Sequence, residues 1–219
     1  MTKTNKKILI AIPSMDYVAA GFAGSLAILG KVGDCKVSFI CSSLVYDARN
    51  KLAAQAINLD TDYILWLDSD MTFEADTLVR LLKDAEDNNL DIVSGLYFRR
   101  AHPYTPVAFD KFDVVDDVAK FENYSGELKG LHKVEGVGFG CLLMNTQVVF
   151  DVFGKYGDCF SPIAKVGEDL SFLWRARQLG YETWLDADVK CGHVGHVVVN
   201  QGFYEAVNDG GDSIGTSKG

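Results

Sequence analysis

Short apolar runs alternate with amphipathic stretches over the first hundred residues. The apolar runs predict strands, and stretches with an apolar residue every three or four positions predict helices. The predicted strands are 8–12, 37–41, 62–67 and 91–98, and the predicted helices are 17–29, 48–59 and 74–88. This β-α-β alternation is typical of the α/β class, with a mainly parallel sheet covered by helices on both faces.

The rhythm changes after residue 98. Prolines, glycines and short alternating pieces predict a hairpin-rich insertion in the second half of the chain. Apolar strand character returns over 134–145, where glycines at 136, 138 and 140 favour either a β-bulge or a close approach of the backbone to a sugar. A helix is predicted at 168–179 and a short strand at 182–185.

No linker divides the chain, so we expect a single domain over residues 1–207. Residues 208–219 are rich in Gly, Ser and Asp, which predicts a flexible tail that could act as a lid. With 219 residues, 48% of them hydrophobic, the chain can build a substantial core.

The net charge of −9 disfavours nucleic acid or an anionic membrane as the main partner. Binding of phosphate would therefore need a metal ion or local basic groups. The five cysteines are odd in number and contain no Cys-x-x-Cys pair, which favours a reducing, cytoplasmic compartment over a disulfide framework. The apolar run at 8–12 is too short for a secretory signal or a transmembrane segment.

Two carboxylates end the most apolar predicted strand. Asp68 and Asp70 follow the run 62–67 directly, and ligands of open α/β sheets bind beyond the carboxyl ends of strands. Such oxygens suit Mg²⁺ or Mn²⁺, which could bridge a diphosphate. The same spacing occurs at Asp60/Asp62 and Asp186/Asp188, and an ordinary solvated turn is the alternative interpretation.

A second acidic pair, Glu168 and Asp169, opens the predicted helix at 168–179. Acids in a first helical turn complement the helix dipole, which explains the pair without any catalytic role. A carboxylate here could equally serve as the general base that takes the proton from a sugar hydroxyl. Both roles are compatible.

Two basic features remain as candidates. His193 lies between glycines just beyond the last strand and is preferred to His196 as a metal ligand, although an ordinary packed or surface histidine is the alternative. Arg99 and Arg100 follow a predicted strand and could lie beside a diphosphate or an acidic acceptor, or form a solvated charge pair.

The order of these motifs resembles a known group. Ile12-Pro13, Asp47-Ala48-Arg49-Asn50, the run ending in Asp68-Ser69-Asp70, Gly167-Glu168-Asp169 and Gly192-His193 together look like a compact glycosyltransferase of the GT-A fold. The resemblance spans about residues 7–196. It is similar to small bacterial and phage family-2-like members, and Ala48-Arg49-Asn50 with Asp-Ser-Asp also resembles the Anp1-type mannosyltransferases.

The resemblance implies roles for the acids and the histidine. Asp70 and His193 would bind Mn²⁺ or Mg²⁺, with Asp68 beside them at the metal and the donor ribose or sugar. Asp169 matches the base of inverting members, and we group Glu168 with it as catalytic.

The resemblance also implies a donor side. Pro13, Ser14 and Asp16 match the loop that borders the nucleotide base. Arg49 and Asn50 match a helix start where a guanidinium could pair with phosphate, with a surface salt bridge as the alternative for Arg49. Ser69 belongs to the same donor side.

The resulting expectation is an inverting, metal-dependent transferase that uses a nucleoside diphosphate sugar, with UDP favoured over GDP. The acceptor would be a hydroxyl of a glycan, a lipid-linked sugar or a protein, and no acceptor motif can be matched. One alternative is a sugar-nucleotide-forming nucleotidyltransferase, which usually has a glycine-rich basic loop where this chain has Ser14-Met15-Asp16-Tyr17. The other is a non-catalytic nucleotide or sugar-binding module.

Overall fold

The computed structural model describes residues 5–195, which contain five helices and twelve strands. The predicted tail at 208–219 and His196 lie outside the described residues. The helices are Ala20–Ile28 (α1), Val45–Asn58 (α2), Thr77–Asn88 (α3), Thr146–Tyr156 (α4) and Glu168–Arg177 (α5). The strands are Lys7–Ser14 (β1), Asp34–Cys41 (β2), Tyr63–Leu67 (β3), Met71–Thr72 (β4), Ile92–Leu96 (β5), Ala108–Val115 (β6), Val118–Asn123 (β7), Leu131–Val134 (β8), Gly136–Val137 (β9), Cys141–Asn145 (β10), Thr183–Lys190 (β11) and Gly192–His193 (β12).

A seven-stranded sheet in the order β2-β1-β3-β10-β5-β11-β8 forms the centre of the fold. Strands β2, β1, β3, β5 and β11 run in one direction, whereas β10 and β8 run opposite to their neighbours. The predicted mainly parallel α/β sheet is therefore confirmed. Every residue of β3 and of β5 is buried, as is typical of strands covered on both faces.

Helices cover both faces of this sheet and give two cores. Leu9 and Trp66 point into the core formed with α2, α4 and α5. Ile10 and Leu65 point to the opposite face, where α1 and α3 pack. The side chains of one strand alternate between the two faces, so an apolar run of consecutive residues contributes to both cores.

Helix α4 is the element that the sequence pattern did not predict. The Asn145 side chain accepts a hydrogen bond from the backbone N–H of Gln147 at 2.9 Å and so caps its start. Gly157, with φ of 71°, ends the helix in a left-handed conformation. The helix carries Val148 and Val149, which are typical of strands, and this composition conceals it.

Helix α2 begins three residues earlier than predicted, at Val45, with Leu44 in the capping position. Asp47 lies in the first turn, where it accepts hydrogen bonds from Ser42 Oγ at 3.1 Å and Lys51 Nζ at 2.7 Å. Strand β11 extends to Lys190, well beyond the predicted 182–185, because it pairs with both β5 and β8.

The insertion after β5 contains a three-stranded sheet in the order β7-β6-β9. Strands β6 and β7 form a hairpin whose turn residues Asp116 and Asp117 both have positive φ, 51° and 57°, as two-residue hairpin turns require. Within residues 5–195 no helix is both long and apolar enough to cross a membrane.

The parallel strands direct their carboxyl ends to one edge of the sheet. Ser14 ends β1, Asp68 follows β3, Tyr97 follows β5, and His193 lies shortly after β11. These positions bring four separate parts of the sequence to one edge, which is where ligands of open α/β sheets bind.

An aromatic cluster supports this edge from below. The ring of Phe160 lies 5.3 Å from that of Trp66 and 4.7 Å from that of Phe172, and Phe160 is fully buried.

We expect Phe160→Ala to lower the free energy of unfolding by about 3–5 kcal/mol, because it leaves a cavity in a packed core. Urea denaturation measures the change. The matched control Phe150→Ala removes a ring that is 55% exposed and should cost under about 1 kcal/mol; equal losses would contradict the assigned core.

Candidate active site

A cavity of about 570 Å³ opens at the carboxyl edge of the parallel strands. This size lies within the range of about 300–1,000 Å³ that is usual for small-molecule sites. Four carboxylates line it, those of Asp68, Asp70, Glu168 and Asp169. The acidic pair after β3 and the acidic pair at the start of α5, which are a hundred residues apart in sequence, therefore share one site.

The turn between β3 and β4 points its two aspartates in different directions. The backbone N–H of Met71 donates to the carbonyl of Asp68 at 3.1 Å, and that of Ala19 donates to the carbonyl of Ser69 at 3.0 Å. These bonds hold the turn so that Asp68 faces Arg49 and Asp70 faces His193 and Arg100.

Strand β12 carries His193 to Asp70. It pairs antiparallel with β4, which begins directly after Asp70, and the N–H of Val194 donates to the Asp70 carbonyl at 2.8 Å. His193 Nδ1 lies 2.9 Å from the carbonyl oxygen of Phe98, which can only accept, so Nδ1 carries a hydrogen. Nε2 then faces Asp70 Oδ2 at 3.6 Å.

This arrangement fits a metal ion in chemical terms. An imidazole whose Nδ1–H is held by a backbone carbonyl presents Nε2 in the orientation that metal-bound histidines adopt. Within residues 5–195, no group of three or more His, Cys, Asp or Glu side chains could hold a metal. Asp70 and His193 would supply two ligands, and water and phosphate oxygens would have to complete the sphere, as Mg²⁺ sites commonly do.

Asp70 and His193 also shift each other's protonation. Burial opposes ionisation of Asp70, but the contact with His193 and the charge of Arg100 outweigh it and lower the pKa of Asp70. The same contact with Asp70 is the main reason why the pKa of His193 is raised, against the opposing effect of burial. Each group of the pair therefore stabilises the charged form of the other. A divalent cation bound to both would take the place of the proton on His193 Nε2.

Arg49 is the buried centre of the site. Its side chain is 2% exposed, with Nη2 donating to Asp68 Oδ1 at 2.8 Å and Nε donating to Glu168 Oε1 at 3.0 Å. The guanidinium lies over the rings of Trp66 at 5.6 Å and Phe139 at 5.3 Å. Burial acts to lower the pKa of Arg49, but Asp68 and Glu168 outweigh it, so the pKa is raised and the charge is retained.

The structure gives Arg49 a different setting from the two that the sequence suggested. It is no surface salt bridge, because the guanidinium is buried at the base of the cavity and both carboxylates are only partly exposed. Two of its nitrogens are taken by protein carboxylates, and Nη1 is buried without a hydrogen-bond partner among the described residues. Arg49 thus ties the turn after β3 to the start of α5.

Asp169 differs from the other three carboxylates in having no ion pair with a described residue. Its Oδ1 accepts from the backbone N–H of Leu170 at 2.7 Å. Burial, followed by the charge of Glu168, raises the pKa of Asp169 to about 6. A carboxylate with such a pKa is still ionised near neutral pH and is a stronger base than an exposed aspartate.

The residues predicted for the donor side divide into two groups. Pro13, Ser14 and Ser69 line the cavity, as Arg49 and Asp68 do. Asp16 does not line it. Asn50 also lies elsewhere: its Oδ1 accepts from the backbone N–H groups of Cys159 and Phe160 at 3.3 and 3.2 Å, and its Nδ2 donates to Asp158 at 3.2 Å. Asn50 thereby fastens the loop after α4 to α2.

Tyr97 is a cavity residue that the sequence analysis missed. Its hydroxyl accepts from the backbone N–H of Gly140 at 3.1 Å, and its ring meets that of His193 edge-on at 5.6 Å. A Cβ atom on Gly138 would lie 2.0 Å from the Tyr97 hydroxyl, and one on Gly140 would lie 2.8 Å from its ring. Gly138 and Gly140 therefore make room for this tyrosine, and their spacing was the available signal.

The rival acidic pairs lie away from the cavity. Asp60 and Asp62 precede β3, at the opposite end of the sheet from Asp68, and Asp60 pairs with Lys7 at 2.9 Å. Asp186 lies on β11 beside α3, with Arg80 Nη2 at 3.9 Å. The end of β3 at which they lie separates Asp60 and Asp62 from the cavity, and the place of β11 beside α3 separates Asp186 from it.

Comparisons with known proteins agree with this architecture. The model of the family "Glycosyl transferase family 2" matches residues 44–153, half of the chain. The crystal structure of A197 from STIV is similar in fold, with 16% sequence identity and a TM-score of 0.57, and the match covers 89% of this chain and 97% of that one. No curated protein matches the chain.

We expect Arg49→Met to lower the free energy of unfolding by about 2–3 kcal/mol, because the partly buried carboxylates of Asp68 and Glu168 would lose the cation that they share. The matched control Lys51→Met, on the same helix, breaks an exposed pair with Asp47 and should cost under about 1 kcal/mol. Urea denaturation of both variants measures the difference. Similar small losses in both would show that Arg49 does not hold the site together.

Proposed function

Since this chain belongs to glycosyl transferase family 2, we propose that it transfers a sugar from a nucleoside diphosphate sugar to a hydroxyl acceptor, with inversion at the anomeric carbon and with Mn²⁺ or Mg²⁺. The observation that carries the proposal is that a carboxylate–imidazole pair and an unpaired carboxylate line the same cavity. Asp70 and His193 form the first feature, and Asp169 is the second.

Asp169 is the proposed base. The acceptor hydroxyl gives its proton to Asp169 while its oxygen forms a bond to the anomeric carbon, and the bond from that carbon to the diphosphate oxygen breaks with its electron pair going to the diphosphate. Attack opposite the leaving group inverts the configuration. Glu168 does not act as a second base here, because Arg49 engages it; it positions the start of α5.

Asp70 and His193 are the proposed metal ligands. A bound divalent cation would neutralise the charge that develops on the departing diphosphate. Asp68 serves the metal site indirectly in this proposal: its Oδ1 bonds to Arg49, which orients the turn that carries Asp70. Ser69 and the remaining oxygen of Asp68 face the donor.

The nucleotide would lie along the end of β1, where Pro13 and Ser14 line the cavity. UDP is the favoured donor nucleotide from the resemblance to the family, with GDP as the alternative. The likeness to Anp1-type mannosyltransferases stays a prediction, as does the identity of the acceptor.

Calorimetric titration with UDP and with GDP, each with and without Mn²⁺, tests the donor site. We expect one nucleotide to bind in a metal-dependent way, and Asp70→Asn to reduce that binding by at least about tenfold, because a charged ligand of the cation is lost. Asp188→Asn is the matched control, since Asp188 is exposed and lies outside the cavity. Failure of folded wild-type protein to bind either nucleotide would overturn the proposal.

Turnover should depend on pH through Asp169. Only the ionised carboxylate accepts a proton, so with a pKa of about 6 the rate should rise about tenfold per pH unit below 6 and level off above it. Asp169→Asn should lower turnover by about 10²–10⁴-fold and leave nucleotide affinity unchanged. Anomeric configuration of the product, read by proton NMR, completes the test, because a retained configuration would remove Asp169 from this role.

A further inference from the structure

Arg100 already engages the carboxylate that the proposed function assigns to the metal ion. Its Nη1 donates to Asp70 Oδ2 at 2.7 Å, the same oxygen that faces His193 Nε2 at 3.6 Å. The guanidinium therefore supplies Asp70 with a cation. A divalent ion held by this oxygen and by His193 would compete with Arg100 for Asp70.

The surroundings of Arg100 hold it at the cavity without locking it to Asp70. The side chain is 49% exposed. Its stem passes close to Gly195: a Cβ atom on that glycine would lie 3.5–3.6 Å from the Cβ, Cγ and Cδ atoms of Arg100, at ordinary van der Waals distance. Its one further hydrogen bond to a described residue is a long one, of 3.5 Å, to the Val194 carbonyl. Arg49, which is 2% exposed between two carboxylates, is fixed by comparison.

Once displaced, the guanidinium remains at a cavity that has received an anion. A diphosphate bridged to the cation at Asp70 would present oxygens beside it, and guanidinium groups bind phosphate through paired, charge-assisted hydrogen bonds. Binding of the cation would thus change the anionic partner of Arg100 from the Asp70 carboxylate to the diphosphate.

We propose that Arg100 holds Asp70 while the donor is absent, and that binding of the divalent cation transfers Arg100 to the diphosphate of the donor. Metal and donor then bind cooperatively, because each favours the same position of one side chain. This inference rests on the proposed function and adds to it a diphosphate-binding residue and an order of exchange at Asp70.

Arg100→Gln separates the two halves of the exchange, because it should change two affinities in opposite directions. Without nucleotide, Mn²⁺ affinity should rise about threefold to fivefold, since the competing ion pair is half-exposed and modest in strength. With saturating Mn²⁺, affinity for the nucleotide should fall at least about tenfold, since a charged hydrogen-bond donor to the diphosphate is lost. The electron paramagnetic resonance signal of free Mn²⁺ measures the first quantity, and calorimetry with UDP and GDP measures the second.

Arg80→Gln is the matched control. It removes the same charge from α3, outside the cavity, where the partly exposed guanidinium lies 3.9 Å from a carboxylate oxygen of Asp186. We expect both affinities to stay within about twofold of wild type, because the effect of an exposed charge at longer range is screened. Equal effects of Arg80→Gln and Arg100→Gln would reduce the result to general electrostatics and overturn the exchange.

The outcomes distinguish the inference from the function beneath it. Metal-dependent nucleotide binding by wild type, with opposite changes in Arg100→Gln, supports the exchange. The same wild-type result with either affinity unchanged in Arg100→Gln overturns the exchange and leaves the proposed function standing. No nucleotide binding by wild type overturns both.

Discussion

The buried guanidinium of Arg49 is the interaction on which the site depends. A charge that is 2% exposed is stable only with partners, and it has them in Asp68 and Glu168, at 2.8 and 3.0 Å. These partners come from the end of β3 and the start of α5, so one side chain of α2 ties three elements together. The aromatic floor of Trp66 and Phe139 supports the guanidinium from below and keeps water from its face.

That pairing distributes charge unevenly over the four cavity carboxylates. Arg49 pairs with both Asp68 and Glu168, and Arg100 with His193 faces Asp70. Asp169 is left with no ion pair among the described residues, and the raised pKa of Asp169 follows from its burial beside Glu168. Four chemically similar groups thus have three different surroundings: two pair with a buried guanidinium, one faces an imidazole and an exposed guanidinium, and one has no ion pair with a described residue.

The central sheet sets the spacing of the residues around the cavity. Strand β10 runs antiparallel between β3 and β5, so it separates Asp68 and Tyr97, which follow those two strands. Gly138 and Gly140 precede β10 and leave the space that Tyr97 fills. Tyr97 then packs against His193, whose strand pairs with β4 beside Asp70. The cavity wall is therefore continuous from Gly138 and Gly140, through Tyr97, to Asp70 and His193.

The sequence by itself determined the class of the fold and the principal acids of the site. Apolar runs without alternation predicted buried parallel strands, and carboxylates directly after such a run predicted a ligand edge, because both signals depend on a few neighbouring residues. Helix α4 was not predicted, because a valine-rich helix resembles a strand locally. The full length of β11 was not predicted either, because its pairing partners are distant in sequence.

Only the tertiary structure decided the surroundings of each acid. Three Asp-x-Asp spacings are equivalent in sequence, but only Asp68 and Asp70 line the cavity. Asp60 and Asp62 lie at the opposite end of β3, and Asp186 and Asp188 lie on β11 near Arg80. Arg49 and Asn50 are adjacent, yet they point to different sides of α2, Arg49 into the cavity and Asn50 to the loop after α4. Arg99 and Arg100 are adjacent as well, and only Arg100 reaches Asp70. Long-range contacts create these differences between neighbouring residues, because burial and the charges of residues distant in sequence determine the surroundings of each group.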